Sequence, residues 1–286
     1  MSDFQLFSVS KAGVSSLPVR EDVQTLHDLY RGFNLGVYSA LRTFQQNRFL
    51  GLDAHIKRTK QSIALLKWNY QLDEALLRRG LHEILSQYPY RNARVRFDIL
   101  PEPVKQSGQN FQILIGVAPF AGIPKQFYAE GVKVGFADAL NRDNPLAKTA
   151  DFVTQRQSFP IGTEETYERI LVNEKGQILE CTSSNFYAVI HGKIYTANEG
   201  ILEGITRKII LMQIDLLGFP IVLEAPSLEQ IPKFDEAGLS SSSRAIIPIV
   251  QIGEQLVGNG RPGPIMQQLL SSYQEYVQNA VQPALA

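Results

Sequence analysis

Strand-like and helix-like stretches alternate irregularly along this chain, and a segment with two prolines and a glycine, residues 118–127, divides them into two groups. Before the break, Phe4 to Val9 alternates apolar and polar residues as a strand does. Residues 34–44 read as a Gly-initiated strand, with Phe49 to Leu52 as its short partner. Ile56, Ile63, Leu65 and Leu66 then fall near helical spacing, with Asp53 as the N-cap. A second helix is expected over Asp73 to Tyr88. The strands Ala93 to Leu100 and Phe111 to Val117 follow, joined as a hairpin by a separator containing Pro101, Pro103, Ser107 and Gly108.

After the break, strands are expected at Gly131 to Phe136, Ile170 to Asn173, Phe186 to Ile190, Lys193 to Thr196 and Ile221 to Glu224. Ala147 to Gln157 reads as a helix, as does Thr206 to Leu217, which Gly218 stops. Ser227 caps a short helix, and Pro264 to Val277 forms the last one. Mixed elements in both halves predict an α+β fold. The expected domains are a small N-terminal one over 1–117, a linker over 118–127 and a larger one over 128–286.

The 286 residues, 44% hydrophobic and 20% charged, suffice to bury a core in each domain. The 28 basic and 28 acidic residues cancel, and no basic run stands out, so neither nucleic acid nor an anionic membrane is an expected partner. Met1-Ser2-Asp3-Phe4 lacks the basic-then-apolar order of a signal peptide. No apolar run approaches the roughly 18 residues of a membrane span. Cys181 is the single cysteine, which excludes an intramolecular disulfide and suits a reducing, cytoplasmic setting. The four histidines, His27, His55, His82 and His191, are too scattered to suggest a metal site.

Seven segments carry the chemical signal: Gly36-Val-Tyr-Ser-Ala-Leu-Arg42-Thr43; Leu52-Asp-Ala-His55-Ile-Lys-Arg58, with Ser62 beyond; Asn141-Arg-Asp-Asn-Pro-Leu-Ala-Lys148; Gly176-Gln-Ile-Leu-Glu180-Cys-Thr-Ser-Ser-Asn185-Phe186; Ile201-Leu-Glu-Gly204-Ile-Thr206-Arg207; the serine run Ser240 to Ser243, with Pro248 after it; and Gly260-Arg-Pro-Gly263-Pro264. Each is weak alone. Lys148 by itself reads as a surface lysine, Glu180 as a solvated strand-end carboxylate, and Arg58, beside Lys57 and Lys60, as part of a basic helix face. In this order, the seven segments together resemble the class IV, fold type IV, pyridoxal-phosphate aminotransferase family, which includes branched-chain and D-amino-acid aminotransferases and aminodeoxychorismate lyase.

The resemblance implies pyridoxal 5'-phosphate held between the two domains, with Lys148 joined to its aldehyde as an aldimine and serving as the catalytic base. It implies Glu180 opposite the pyridine nitrogen, with Asn185 following in the same motif. The phosphate would be met by Arg58, by Gly204, Ile205 and Thr206 at a helix N-terminus, and by Ser242. Tyr38, Ala40, Arg42 and Ser243 are pocket residues on the same grounds. Arg94 and Arg96 alternate along one strand and share a face, so Arg96 joins them as a candidate for a substrate carboxylate. Arg207 is expected to pair structurally, Cys181 to be a small buried filler, and His55 to be structural; Arg244 has no place in the family pattern. The substrates implied are an amino acid and a 2-oxo acid, and the assembly a homodimer whose small-domain loops complete the partner's site.

Two positions bear on which subgroup the chain resembles. Branched-chain aminotransferases carry a tyrosine five residues after the lysine, where this chain has Val153. The lyase subgroup often has a threonine where this chain has Ala40, which favours transamination over elimination of aminodeoxychorismate. A family member that has lost activity and only binds would not need Lys148, Glu180 and Arg58 together.

Overall fold

The computed structural model describes residues 3–106, 109–137, 140, 144–159, 162 and 166–285. Ser107 and Gly108 of the expected hairpin separator, and Asn141 to Asp143 of the lysine motif, lie outside them. The chain divides into two compact units. The first comprises Met1–Ala121, Ala147–Asp151 and Asn279–Ala286, and the second Gly122–Leu146 and Phe152–Gln278. The first division falls between Ala121 and Gly122, and the first unit includes Lys148.

The first unit contains β1 (Gln5–Ser10), β2 (Gly13–Leu17), β3 (Val37–Arg42), β4 (Arg48–Leu50), α1 (Leu52–Leu65), α2 (Glu74–Gln87), β5 (Ala93–Gln106) and β6 (Gln109–Pro119). Five of these strands form an antiparallel sheet in the order β2-β1-β6-β5-β3. On one face, Val9, Val37, Leu41, Val95, Phe97, Ile113, Ile115 and Val117 pack with Ile56, Ile63, Leu77, Leu81 and Ile84 of the two helices. Burying that many large apolar side chains is the main stabilisation of this unit. Asp73 caps α2 by accepting the Leu76 N–H at 2.9 Å. The start of α1 differs from expectation: Gly51, in the left-handed region at φ 63°, is its N-cap, and Asp53 sits in the first turn, paired with Arg78.

The second unit holds α3 (Lys125–Ala129), β7 (Val132–Phe136), most of α4 (Ala150–Gln155), β8 (Glu168–Val172), β9 (Ile178–Cys181), β10 (Asn185–Ile190), β11 (Lys193–Tyr195), α5 (Ile205–Leu216), β12 (Ile221–Val222), β13 (Glu236–Ser241), β14 (Ala245–Ile252), β15 (Gln255–Leu256) and most of α6 (Pro264–Ala280). Its sheet runs β12-β11-β10-β13-β14-β7-β8-β9, and β9 pairs again with β10 through Glu180 and Asn185. Six strands therefore close into a ring filled by Val134, Ile170, Phe186, Leu239, Ile247 and their neighbours. Glu236 accepts the Ile265 and Met266 N–H groups at the start of α6. Gly263 leaves room for this, since a Cβ there would lie 2.1 Å from the Glu236 carboxyl carbon.

Two expectations are corrected. The Phe49 to Leu52 stretch meets the strand before it at the Thr43–Phe49 bridge, and β4 pairs with β16 (Val281–Pro283) near the end of the chain. Residues 147–149 are not helical. Tyr38 N–H donates to the Lys148 carbonyl, Ala150 N–H to the Gly36 carbonyl, and Thr149 bridges Val37. Pairing along the open edge of β3 uses the backbone groups that a helix would need. Among the described residues, no helix is long and apolar enough to cross a membrane.

Candidate active site

In the first unit the site is built on α1 and β3. His55, Arg58 and Ser62 are spaced by three and four residues, so they share one buried helix face, while Lys57 and Lys60 point to solvent. That geometry removes the basic-face reading of Arg58, which is 8% exposed. Arg58 Nη2 donates to Ser39 Oγ at 3.5 Å, and Ser39 Oγ lies 2.7 Å from His55 Nδ1. Ser62 Oγ donates to the Arg58 carbonyl and accepts the Lys148 N–H at 3.1 Å. Lys148 is thereby fixed on both sides of its backbone, by Ser62 at its nitrogen and by Tyr38 at its carbonyl. Its Nζ lies 4.6 Å from the centroid of the Tyr38 ring.

The register between β3 and β5 places Tyr38 opposite Asp98, Ala40 opposite Arg96 and Arg42 opposite Arg94. The alternation of a strand puts Tyr38, Ala40 and Arg42 on one face with these partners, away from Ser39. Arg42 stacks on Phe44 and Phe120, and Arg94 also stacks on Phe120. The guanidinium of Arg96, a substrate candidate from the sequence, is engaged inside the unit. It makes a bidentate pair with Asp98 at 2.7 and 2.5 Å, meets His27 at 2.8 Å, and lies between the rings of Tyr30 and Tyr38.

In the second unit, Glu180 and Asn185 face each other across the closing pair of β9 and β10. Asn185 Nδ2 donates to Glu180 Oε2 at 3.3 Å and to the Leu202 carbonyl at 2.9 Å, and Leu202 N–H donates to Glu180 Oε2. Gly204 abuts this arrangement, because a Cβ there would stand 2.1 Å from Asn185 Oδ1. Gly204 is the N-cap of α5, so Ile205, Thr206 and Arg207 present N–H groups without intrahelical acceptors. Arg207 turns back to the Ala197 carbonyl, the structural pairing expected of it. Ser242 and Ser243 occupy the turn between β13 and β14, and Tyr187 Oη lies 2.8 Å from Ser240 Oγ just before it. Cys181 is a fully buried free thiol.

Three contributors were not visible as functional residues in the sequence. Ser39 and Ser62 act only through hydrogen bonds that the fold creates. Glu168, buried at the start of β8, accepts from Ser183, Ser184 and Arg244. Burial by itself would raise its carboxyl, but Arg244 and the serine donors outweigh that and hold it below the usual range. Arg244 is therefore a buried partner of Glu168 and not a surface residue.

Burial, reinforced by the charges of Arg58 and Lys148, pushes the His55 imidazole well below its ordinary value, so it is neutral in the folded chain. Below the unfolded value of about 6.5, the unfolded chain takes up a proton that the folded one refuses, so stability falls as pH drops through that point. Urea unfolding between about pH 8 and about pH 5.5 should show a smaller acid loss for His55→Asn than for the wild type. Equal losses would place the proton uptake elsewhere.

The first unit thus carries an amine and a buried guanidinium, chemistry that suits an aldehyde and a phosphate, and the second carries a buried carboxylate and a helix N-terminus with a hydroxyl, chemistry that suits a pyridine nitrogen and a phosphate. The profile of the amino-transferase class IV family matches residues 36–252. A D-alanine aminotransferase of Staphylococcus haemolyticus is 35% identical over 111 residues, which span 38% of this chain and 39% of that protein. A D-alanine aminotransferase of Bacillus licheniformis is 26% identical over 253 residues, 86% of this chain and 88% of that protein. Among solved structures, the branched-chain amino acid aminotransferase of Thermobaculum terrenum in its PLP form superimposes with a TM-score of 0.75 at 19% identity, covering 98% of each chain. The chain belongs to the amino-transferase class IV family, whose members are pyridoxal-phosphate enzymes.

Proposed function

We propose that this chain moves an amino group between an amino acid and a 2-oxo acid, with Lys148 as its covalent attachment point and proton carrier. The observation that carries the reading is the double anchoring of Lys148, whose N–H meets Ser62 on the same helix face that carries Arg58. Pyridoxal phosphate, when bound, supplies an aldehyde for that amine and a ring that accepts the electrons released at the substrate α-carbon. With the cofactor bound, Lys148 Nζ would be the group that carries the proton at the substrate α-carbon. A fixed backbone restricts the motion of that amine to its own side-chain torsions.

Glu180 would hold a proton on the pyridine nitrogen, and Asn185 donates to its carboxylate. Arg58, the N–H groups of Ile205 and Thr206, the Thr206 hydroxyl and Ser242 take the phosphate, with Gly204 opening the helix. Tyr38, Ala40 and Arg42 line the substrate side, Ser243 faces the substrate carboxylate, and Arg96 acts through Tyr38. Ala40 offers no hydroxyl to assist a leaving group, which supports transamination over elimination. The buried free thiol of Cys181 supports a reducing compartment, the cytoplasm.

Two measurements test this reading. Borohydride reduction of the holoenzyme should fix the cofactor on the peptide carrying Lys148, and Lys148→Ala should bind cofactor weakly with negligible turnover. Label on Lys125 or Lys133 would overturn the assignment. The family resemblance also supports a homodimer with a symmetric interface. Light scattering should therefore report about twice the chain mass of 32.0 kDa; an active monomer at assay concentration would exclude that assembly.

A further inference from the structure

We infer that Arg244 is a positioning residue for the phosphate-binding turn: its guanidinium, clamped on Glu168 and Ser183, fixes the turn that carries Ser242 and Ser243. This rests on the reading of Ser242 as a phosphate ligand. Arg244 lies in that turn, between Ser241 and Ala245, which pair as the last rung of β13 and β14. Its backbone N–H closes the turn on the Ser241 carbonyl at 3.1 Å, and its Nε donates to Ser241 Oγ at 2.8 Å. Nη1 donates to Glu168 Oε2 at 2.6 Å, while Nη2 donates to the Ser183 carbonyl and hydroxyl at 3.1 and 2.6 Å.

Glu168 distributes that restraint to a second turn. It accepts from the Ser183 hydroxyl at 2.8 Å, the Ser184 hydroxyl at 2.9 Å and the Thr182 hydroxyl at 3.3 Å. Residues 182–184 connect the strand of Glu180 to the strand of Asn185. The pair is buried, Arg244 at 7% and Glu168 at 0% exposure, so solvent neither screens it nor competes for its hydrogen bonds. A planar guanidinium that meets four oxygen acceptors on three residues sets direction as well as distance, which an ammonium in its place would not. Ala245, directly after Arg244, has φ 55°, a left-handed conformation that a non-glycine residue adopts only when its surroundings impose it. The side-chain clamp provides such an imposition on a turn whose other residues are small serines.

The test uses the full chain stripped of cofactor and titrated separately with pyridoxal phosphate and with pyridoxal, which lacks the phosphate. Ser242→Ala should weaken pyridoxal phosphate several-fold and leave pyridoxal unchanged. Arg244→Lys keeps the charge against Glu168 but loses the forked contacts, and should weaken pyridoxal phosphate about tenfold while pyridoxal stays within about twofold. A variant whose effect is only general loosening would weaken both ligands alike. If Arg244→Lys weakens both equally, or neither, while Ser242→Ala keeps its phosphate-selective loss, the positioning role is overturned and the Ser242 reading stands. If Ser242→Ala shows no phosphate-selective loss, that reading fails and the positioning role falls with it. Glu168→Gln should reproduce the selectivity of Arg244→Lys, and it carries the same outcomes should the lysine variant not fold.

Discussion

The closure of the second unit's sheet on itself depends on one pair, Glu180 against Asn185. Without it the strands from β10 round to β9 would be an open sheet with two edges; with it they form a ring, and the pair faces the segment leading into α5. Asn185 satisfies two acceptors at once, the Glu180 carboxylate and the Leu202 carbonyl, so the spacing of a glutamate five residues before an asparagine has a physical cause. The glycine of the following motif has one as well. Gly204 has no Cβ because Asn185 Oδ1 occupies that space. Two motifs that look independent in the sequence are one packed unit, linking a buried carboxylate to the start of a helix.

Polar groups are buried on a similar plan elsewhere in the chain. In the first unit, Ser39, His55, Arg58 and Ser62 form a connected set inside the sheet-and-helix packing. In the second, Glu168 and Arg244 do the same for two turns. Leaving any one of these groups unpaired would cost about 1–3 kcal/mol, and more for a charged one. Such networks rigidify what they connect.

Much of this was legible in the sequence, for a physical reason. Glu180, Asn185, Gly204 and Thr206 lie in short segments where chemistry and local backbone geometry demand particular residue types. Arg58 lies in one of the motif segments, although the helix face that buries it with Ser62 is set by the fold. What escaped depended on distant partners. The strands Glu236–Ser241 and Ala245–Ile252 are almost wholly buried, so they lack the alternation that marks a half-exposed strand. The local pattern extends a helix over residues 147–149, but Lys148 and Thr149 pair with the edge of β3 more than a hundred residues earlier. The partner of β4 comes from the opposite end of the chain. Glu168 gave no signal because only the folded chain brings Arg244 and the serines to it.

The central claim is that the chain transfers an amino group rather than eliminating or merely binding. The most direct measurement is the amount of 2-oxo acid released when holoenzyme is mixed with single L- or D-amino acids and no acceptor. A reactive amino acid should yield about one equivalent per subunit and then stop, because the enzyme retains the amino group until a 2-oxo acid removes it. Adding a second 2-oxo acid should then restart release. Continued release without an acceptor, or no release across the whole panel, would contradict the account.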